Sequence, residues 1–248
     1  MAVPITQSDV RNRLLRYLSP EDFTLLSPHL RSVDLPFRTV VETPSHAIDR
    51  ALFLESGICS IIVTGGHGEQ SEVGNIGYEG MSGRGLLLGS GFPSNRMLVQ
   101  VAGSALEIEP AALREAVEAS PSLRSVLLRY LQTVDIQVAH TMLAVTRFNV
   151  HQRLARWLLM CHDRTRGDLP VTHEMLSLML SVRRASVTQE IQVLEGLGAI
   201  RAMRGNVRVL DRAKLIAITA GSYGIPEAEY ERLLPPPDGS ARRPPARS

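Results

Sequence analysis

Only two cysteines stand in the 248 residues, Cys59 and Cys161, 102 positions apart. That number excludes a disulfide framework and a cysteine-rich metal site. No apolar run approaches the roughly 18 residues needed to cross a bilayer. The first residues, MAVPITQSDVRNRLL, are amphipathic and lack the apolar centre of a signal peptide. A cytoplasmic protein without membrane contact is expected. Lysine is nearly missing: Lys214 is the only one, and the arginine bias that results is what a GC-rich genome would produce by itself. No Ser/His/Asp, phosphate-loop or dinucleotide-binding pattern is found, so neither an enzyme nor a cofactor is expected. The 44% hydrophobic and 21% charged composition suits one or two ordinary cores, and two domains are the natural expectation for this length.

What is present is clearest at 172–195, THEMLSLMLSVRRASVTQEIQVLE. Thr172 is placed to cap a helix whose apolar residues Met175, Leu176, Met179 and Leu180 recur at helical spacing. Ser181 and Val182 form a turn, and a second helix follows in which Val187, Ile191 and Leu194 share one face. Arg184, Ala185, Thr188 and Gln189 are left to point elsewhere. Arginine and glutamine are among the few side chains that pair bidentately with guanine or adenine, so this second helix has the composition of a DNA-reading helix. A plain αα-hairpin with a basic corner satisfies the same 24 residues. The continuation favours the first reading: Ala199–Met203 and Val207–Leu210 alternate as two short strands joined by Arg204-Gly205-Asn206. Helix, turn, helix and basic hairpin is the order of a winged helix, whose wing lies along phosphate. Charge agrees, since residues 147–220 carry 12 Lys+Arg against 6 Asp+Glu, whereas residues 1–146 carry 11 against 15.

Upstream, residues 8–32 read as two short helices, the second opened by Ser19-Pro20-Glu21-Asp22. Between 37 and 109, β-rich runs (Thr39–Glu42, Ala51–Glu55, Cys59–Thr64, Met97–Val101, Ala105–Ile108) alternate with glycine-rich turns. An antiparallel roll or barrel is expected. Gly74, Gly77, Gly80 and Gly83 recur at every third position; they are read as turn geometry, with a phosphate cradle as the alternative. Ser120 and Pro121 then open a long helix. Along it Leu127, Leu131, Val134, Val138, Thr141, Val145 and Phe148 are spaced alternately by 4 and 3. That is a heptad seam for a partner helix. Burial against the chain's own roll is the alternative, because Val126, Tyr130 and Ile136 lie on another face. Residues 222–234 hold a short helix after Pro226, and the last 14 residues, PPPDGSARRPPARS, cannot build a core and are expected to be disordered.

The order of roll, long helix and winged helix, with FNVHQRLARWLL leading into the 172–195 unit and a wing ending MRGNVRVLDRAKL, resembles the Crp/Fnr superfamily of bacterial transcription regulators. The resemblance covers about residues 10–215 and is strongest from Arg153 to Leu215. It implies an α+β protein in which residues 1–119 form an antiparallel β-roll with N-terminal helices, 120–146 a dimerisation helix, 147–220 a winged helix-turn-helix and 221–248 an extension. It implies Arg184, Ala185 and Gln189 at base-reading positions, with Thr172, His173, Arg183 and Ser186 at backbone-contacting ones. Thr188 on the same helix and the wing residues Arg204, Gly205 and Asn206 complete the expected DNA surface. Leu127, Leu131, Val134, Val138, Thr141 and Val145 form the expected dimer interface. The partners implied are double-stranded DNA bearing an inverted repeat, a second copy of the chain and RNA polymerase. Ala185 departs from a glutamate common in that family, so contact with a thymine methyl would replace acceptance from cytosine. Glu190 departs as well, standing where a small or apolar residue is usual.

The sensor departs further. Cyclic-nucleotide binders of the family carry a Gly-Glu pair for the ribose and an Arg-Ser or Arg-Thr pair for the phosphate. This chain has Gly83-Arg84 and Arg96-Met97. Arginine cannot accept from a ribose hydroxyl and methionine cannot donate to phosphate, so Arg84, Arg96 and Met97 mark a degenerate effector pocket and cyclic AMP is not the expected effector. Val138 and Ala139 on the long helix also lack hydroxyls for an adenine. Four thiolates for an iron–sulfur cluster are absent. Haem ligation by His46 or His67 competes with simple solvation of those histidines. Two other functions stay open. One is a non-specific, architectural DNA binder. The other is a cupin-like metalloenzyme roll, which the single histidine beside Glu69 and Glu72 supports poorly.

Overall fold

The computed structural model describes residues 5–165 and 167–236. Two short helices open the chain, α1 (Arg13–Arg16) and α2 (Pro20–Leu26). Ser19 caps α2 by accepting from the Asp22 N–H at 3.1 Å, with Pro20 at the first helical position. Seven strands follow: β1 (Arg31–Leu35), β2 (Val40–Glu42), β3 (Ala51–Leu54), β4 (Ile58–Thr64), β5 (Gln70–Ile76), β6 (Arg96–Val101) and β7 (Gly103–Ile108). The short helix α3 (Arg84–Leu87) lies between β5 and β6. The strands make two antiparallel sheets, ordered β1-β7-β3 and β2-β6-β4-β5. Phe53 pairs with Leu106 in the first, and Cys59 pairs with both Ile76 and Val99 in the second. Leu52, Phe53, Leu54, Ile61, Met97 and Val99 from the two sheets lie in one buried core.

Strand β5 falls where the spacing predicts glycine turns, and it corrects that reading. Gly74 lies inside the strand, and of the four periodic glycines only Gly83, at φ +78°, has a backbone that disfavours other residues. The other three permit close approach. A Cβ on Gly74 would strike the Gln137 amide, one on Gly77 the Arg164 side chain, and one on Gly80 the Tyr130 hydroxyl. Their periodicity reflects how tightly β5 and the loop after it lie on the helices beyond.

Those helices are α4 (Pro110–Ala119), α5 (Pro121–Arg147) and α6 (Val150–Thr165). Ser120 caps α5 as the sequence suggests, and its hydroxyl also donates to the buried Asp22, which ties α2 to the start of the long helix. Tyr130 is the largest fully buried side chain among the described residues, and its hydroxyl bonds both the N–H and the carbonyl of Met81. Leu127 and Val134 share its core. This overturns part of the expected seam. Leu127 is 1% exposed and Val134 4%, each covered by the chain's own roll. Of the other seam residues, Val145 is open at 43% and Leu131, Val138 and Thr141 are half-buried, while Leu128, Met142 and Leu143, which the seam did not include, are open at 45%, 64% and 46%. The free stripe through 128, 132, 135, 139 and 142 is displaced by one residue, roughly 100° around the helix. Heptad spacing alone could not tell which of two adjacent stripes the roll would take.

Next come α7 (His173–Met179), α8 (Arg184–Gly196), the hairpin β8 (Ile200–Met203) and β9 (Asn206–Val209), α9 (Arg212–Ile218) and α10 (Ile225–Leu233). Leu158, Leu176, Val187, Ile191, Leu194 and Val207 form a second core, which Ile58 and Ile62 of β4 also enter. The final helix stands where the sequence reads one, and the structure adds its docking: α10 packs on α5, Tyr230 donates to the Glu79 carbonyl at 2.6 Å, and Arg13 pairs with Glu231 at 2.8 Å. Residues 237–248, most of the Pro/Arg-rich tail, lie outside the described residues.

Candidate nucleic-acid interface

Helix α7 starts where Thr172 accepts from the Met175 N–H at 3.2 Å, and it ends at a turn in which Ser181 takes φ +51°. Arg153 from α6 donates to the Leu180 carbonyl, placing positive charge at the C-terminal end of α7 where free carbonyls cluster. Leu176, Met179 and Leu180 face Val187, Ile191 and Leu194 across the unit, and all six are buried. The orientation of α8 is therefore set by its apolar stripe, as its spacing predicts.

That stripe leaves Arg184, Ala185 and Gln189 exposed and Ser186 and Thr188 half-buried, with Arg183 exposed at the N-cap position. Gln192 shares the open face one turn beyond Thr188 and Gln189. Its place three residues after Gln189 is the sequence signal for that face. The first turn of α8 has no acidic residue and begins with two arginines. Positive side chains at the positive end of a helix dipole are unfavourable until an anion arrives, so this end is polarised toward phosphate.

Three supporting contacts were not visible in the sequence. His173 Nδ1 meets the Thr188 hydroxyl at 2.9 Å, and that hydroxyl donates to the Arg184 carbonyl at 3.1 Å, so α7 and α8 are latched at their N-terminal ends. His173 and Thr188 thus spend hydrogen-bonding capacity on each other. Glu190 lies 2.8 Å from His151 Nδ1, which accounts for an acid at that position: it fastens α8 to α6. The wing is extended by Leu169, which exchanges two backbone hydrogen bonds with Val207. Its tip holds Arg204 and Gly205, both exposed, and Gly205 takes φ +75° with open space around it. Asn206 belongs to β9 and is half-buried. Arg208, also exposed, is committed to Asp168 through two bonds of 2.7 and 2.8 Å, leaving Arg201 and Arg204 as the hairpin arginines with no ion pair among the described residues.

The three residues of the degenerate effector pocket do not gather around an opening. Met97 is 1% exposed and pairs across strands with Glu42. The Glu42 carboxylate accepts the Gly83 N–H at 2.5 Å, beside Arg84 at the start of α3. An internal acid thus takes up the Gly83 N–H at the position of the family's ribose-binding pair, and burial raises its pKa while the Gly83 N–H and Arg84 pull it down. Arg96 stands at the start of β6, half-exposed and opposite Ile62. His67 is exposed and Glu72 buried, and among the described residues no cluster of three His, Cys, Asp or Glu side chains could hold a metal ion. Cys59 and Cys161 are both free and buried, and burial drives the Cys59 thiol up to about 12, opposite to what a reactive thiolate needs. No helix among the described residues is long and apolar enough to cross a membrane.

Comparison with known proteins fits this geometry. Residues 152–218 match the family model of the Crp-like helix-turn-helix domain. No curated protein matches the chain by sequence. Among solved structures, a transcriptional regulator assigned to the Crp/Fnr family from Eubacterium rectale has a TM-score of 0.65 at 16% identity, covering 84% of this chain and 98% of its own. The c-di-GMP-responsive global regulator CLP of Xanthomonas campestris has a TM-score of 0.63 at 17% identity, covering 77% and 99%. A CRP-family transcriptional regulator of Thermus thermophilus gives 0.61 at 19%, covering 76% and 97%. This chain therefore carries a Crp-like helix-turn-helix domain, joined to a strand-rich N-terminal domain in the fold of the Crp/Fnr-family transcriptional regulators.

Proposed function

We propose that this chain is a sequence-specific transcription regulator that binds an inverted-repeat operator as a homodimer, with Arg184 and Gln189 reading base edges. The observation that carries this reading is the open face of α8. Its apolar stripe is fully buried while its N-terminal end presents arginine, alanine and glutamine to solvent. Thr172, Arg183 and Ser186 flank that face and would hold phosphates, and Arg204 with Gly205 at the wing tip would follow the backbone. A second copy packed along α5 would set two α8 helices on half-sites one helical turn apart. Helix α5 leaves Leu128, Met142, Leu143 and Val145 open for such a copy, whereas Leu127 and Val134 are already covered by the roll. The effector is not a cyclic nucleotide on this reading, because Arg84 cannot accept from a ribose hydroxyl and Met97 cannot donate to a phosphate. RNA polymerase is a further partner only in so far as the protein regulates transcription.

Arg184→Ala should weaken binding to the cognate repeat by about 1–3 kcal/mol and relax base preference at one position per half-site. Arg183→Ala should weaken binding to all sequences alike and reduce the salt dependence. Competition gel shifts on cognate and scrambled duplexes separate the two. Equal loss on both duplexes for Arg184→Ala would make α8 a non-specific, architectural binder.

A further inference from the structure

Between the roll and the helix-turn-helix lies a groove of about 670 Å³ that the DNA-reading role does not use. One wall is Phe37, Arg38 and Leu98 of the roll; the other is Met175, Leu178 and Arg183 of the helix-turn-helix. This volume suits a small organic ligand. Its apolar surface includes side chains that gain by being covered, since Phe37 is 47% and Leu178 37% exposed. Its polar character leans toward donors. Arg38 and Arg183 both border it, and neither makes an ion pair among the described residues. Arg38 is held there by a backbone at φ +67° and an N–H bonded to the Val99 carbonyl, with its guanidinium over the Phe37 ring at 5.2 Å. Gln100, only 1% exposed, also lines the groove; its Oε1 accepts from Ser60 while its Nε2 has no partner. A buried amide donor without an acceptor costs stability until something supplies one. Glu174 is the single acid of the lining, against two arginines.

We infer that this groove is a binding site for a small carboxylate with an apolar body. The carboxylate would sit between Arg38 and Arg183, and the body would lie on Phe37, Leu98 and Leu178. Two guanidiniums can each give a carboxylate paired hydrogen bonds, which a neutral head group cannot match. Such a ligand touches both domains at once. It also takes up Arg183, so it opposes DNA binding; this last consequence rests on the DNA-binding reading above, whereas the site itself does not.

Octanoate is a suitable probe, with 1-octanol as its uncharged counterpart, titrated calorimetrically into the full-length protein. Octanoate should bind at one site per chain, and 1-octanol roughly tenfold more weakly or worse. Arg38→Gln should lose a similar factor for octanoate while leaving DNA affinity in the absence of octanoate unchanged. Leu178→Trp should fill the groove and abolish binding, with an unaltered melting curve showing that the variant is folded. Absence of saturable octanoate binding, equal affinity for octanol, or wild-type affinity in Arg38→Gln would each overturn the site. Saturating octanoate should weaken DNA binding by the wild type but not by Arg38→Gln. Octanoate binding in a protein that binds no DNA would leave the site standing and remove the DNA-binding reading instead.

Discussion

Replacing Leu128 and Met142 together by aspartate should convert the protein to monomers and reduce affinity for an inverted repeat by about 100-fold or more, since a single winged helix loses the gain from two linked half-sites. Both side chains are open in the isolated chain, at 45% and 64%, so their replacement leaves the roll intact. Two new carboxylates per chain would face each other across the two-fold, without partners and away from water. Sedimentation velocity reads the outcome directly. The same substitution at Val134, 4% exposed among Leu127 and Tyr130, would bury a charge in the roll's own core and unfold it. A dimer that survives Leu128→Asp with Met142→Asp would place the interface elsewhere than on α5.

Glu72→Gln should remove a pH dependence of stability. Glu72 is 6% exposed at the junction of the two cores, accepting from Trp157 Nε1 at 2.8 Å, while its second carboxylate oxygen has no partner. Burial pushes its carboxyl up to about 7, against the pull of the hydrogen bonds it accepts and of nearby Arg164. The folded state therefore holds this proton over a range in which the unfolded chain has released it. The contribution of Glu72 to stability is complete below about pH 4.5 and is lost as pH rises through about 7, a swing on the order of 3 kcal/mol. Urea unfolding of the wild type and of Glu72→Gln at pH 5 and pH 8, followed by the fluorescence of Trp157, the only tryptophan, measures it. The variant should match the wild type at pH 5 and exceed it at pH 8. A constant difference at both values would show that Glu72 does not titrate in this range.

Glu72 also shows where sequence reading ends. As a residue beside His67 and Glu69 it supplies only a ligand type. Its role follows from burial and from Trp157, 85 positions away. The helix-turn-helix was legible because its buried residues repeat with the helical period and its turn and wing are marked by short polar or glycine-bearing segments. The roll was legible in part. Its runs of apolar and β-branched residues announced β2, β3, β4, β6 and β7, but β5 carries Gly74 and polar residues and reads as a loop until Gln137 and Tyr130 are seen packed against it. The seam on α5 misled because a heptad repeat states a period and not a partner. The roll had already claimed Leu127 and Val134, so the open stripe lies one residue further on. Helix α10 was located, but its docking was not, because nothing local in EAEYERLL announces that Tyr230 reaches the Glu79 carbonyl.

Selection of the purified full-length protein on a pool of random duplex DNA tests the DNA-reading role of α8 most directly. Enrichment of an inverted repeat whose half-sites are centred about 10 base pairs apart is expected, with Arg184→Ala changing the preferred base at one symmetric pair of positions. Enrichment of no sequence, or of a motif that Arg184→Ala leaves unchanged, would contradict it.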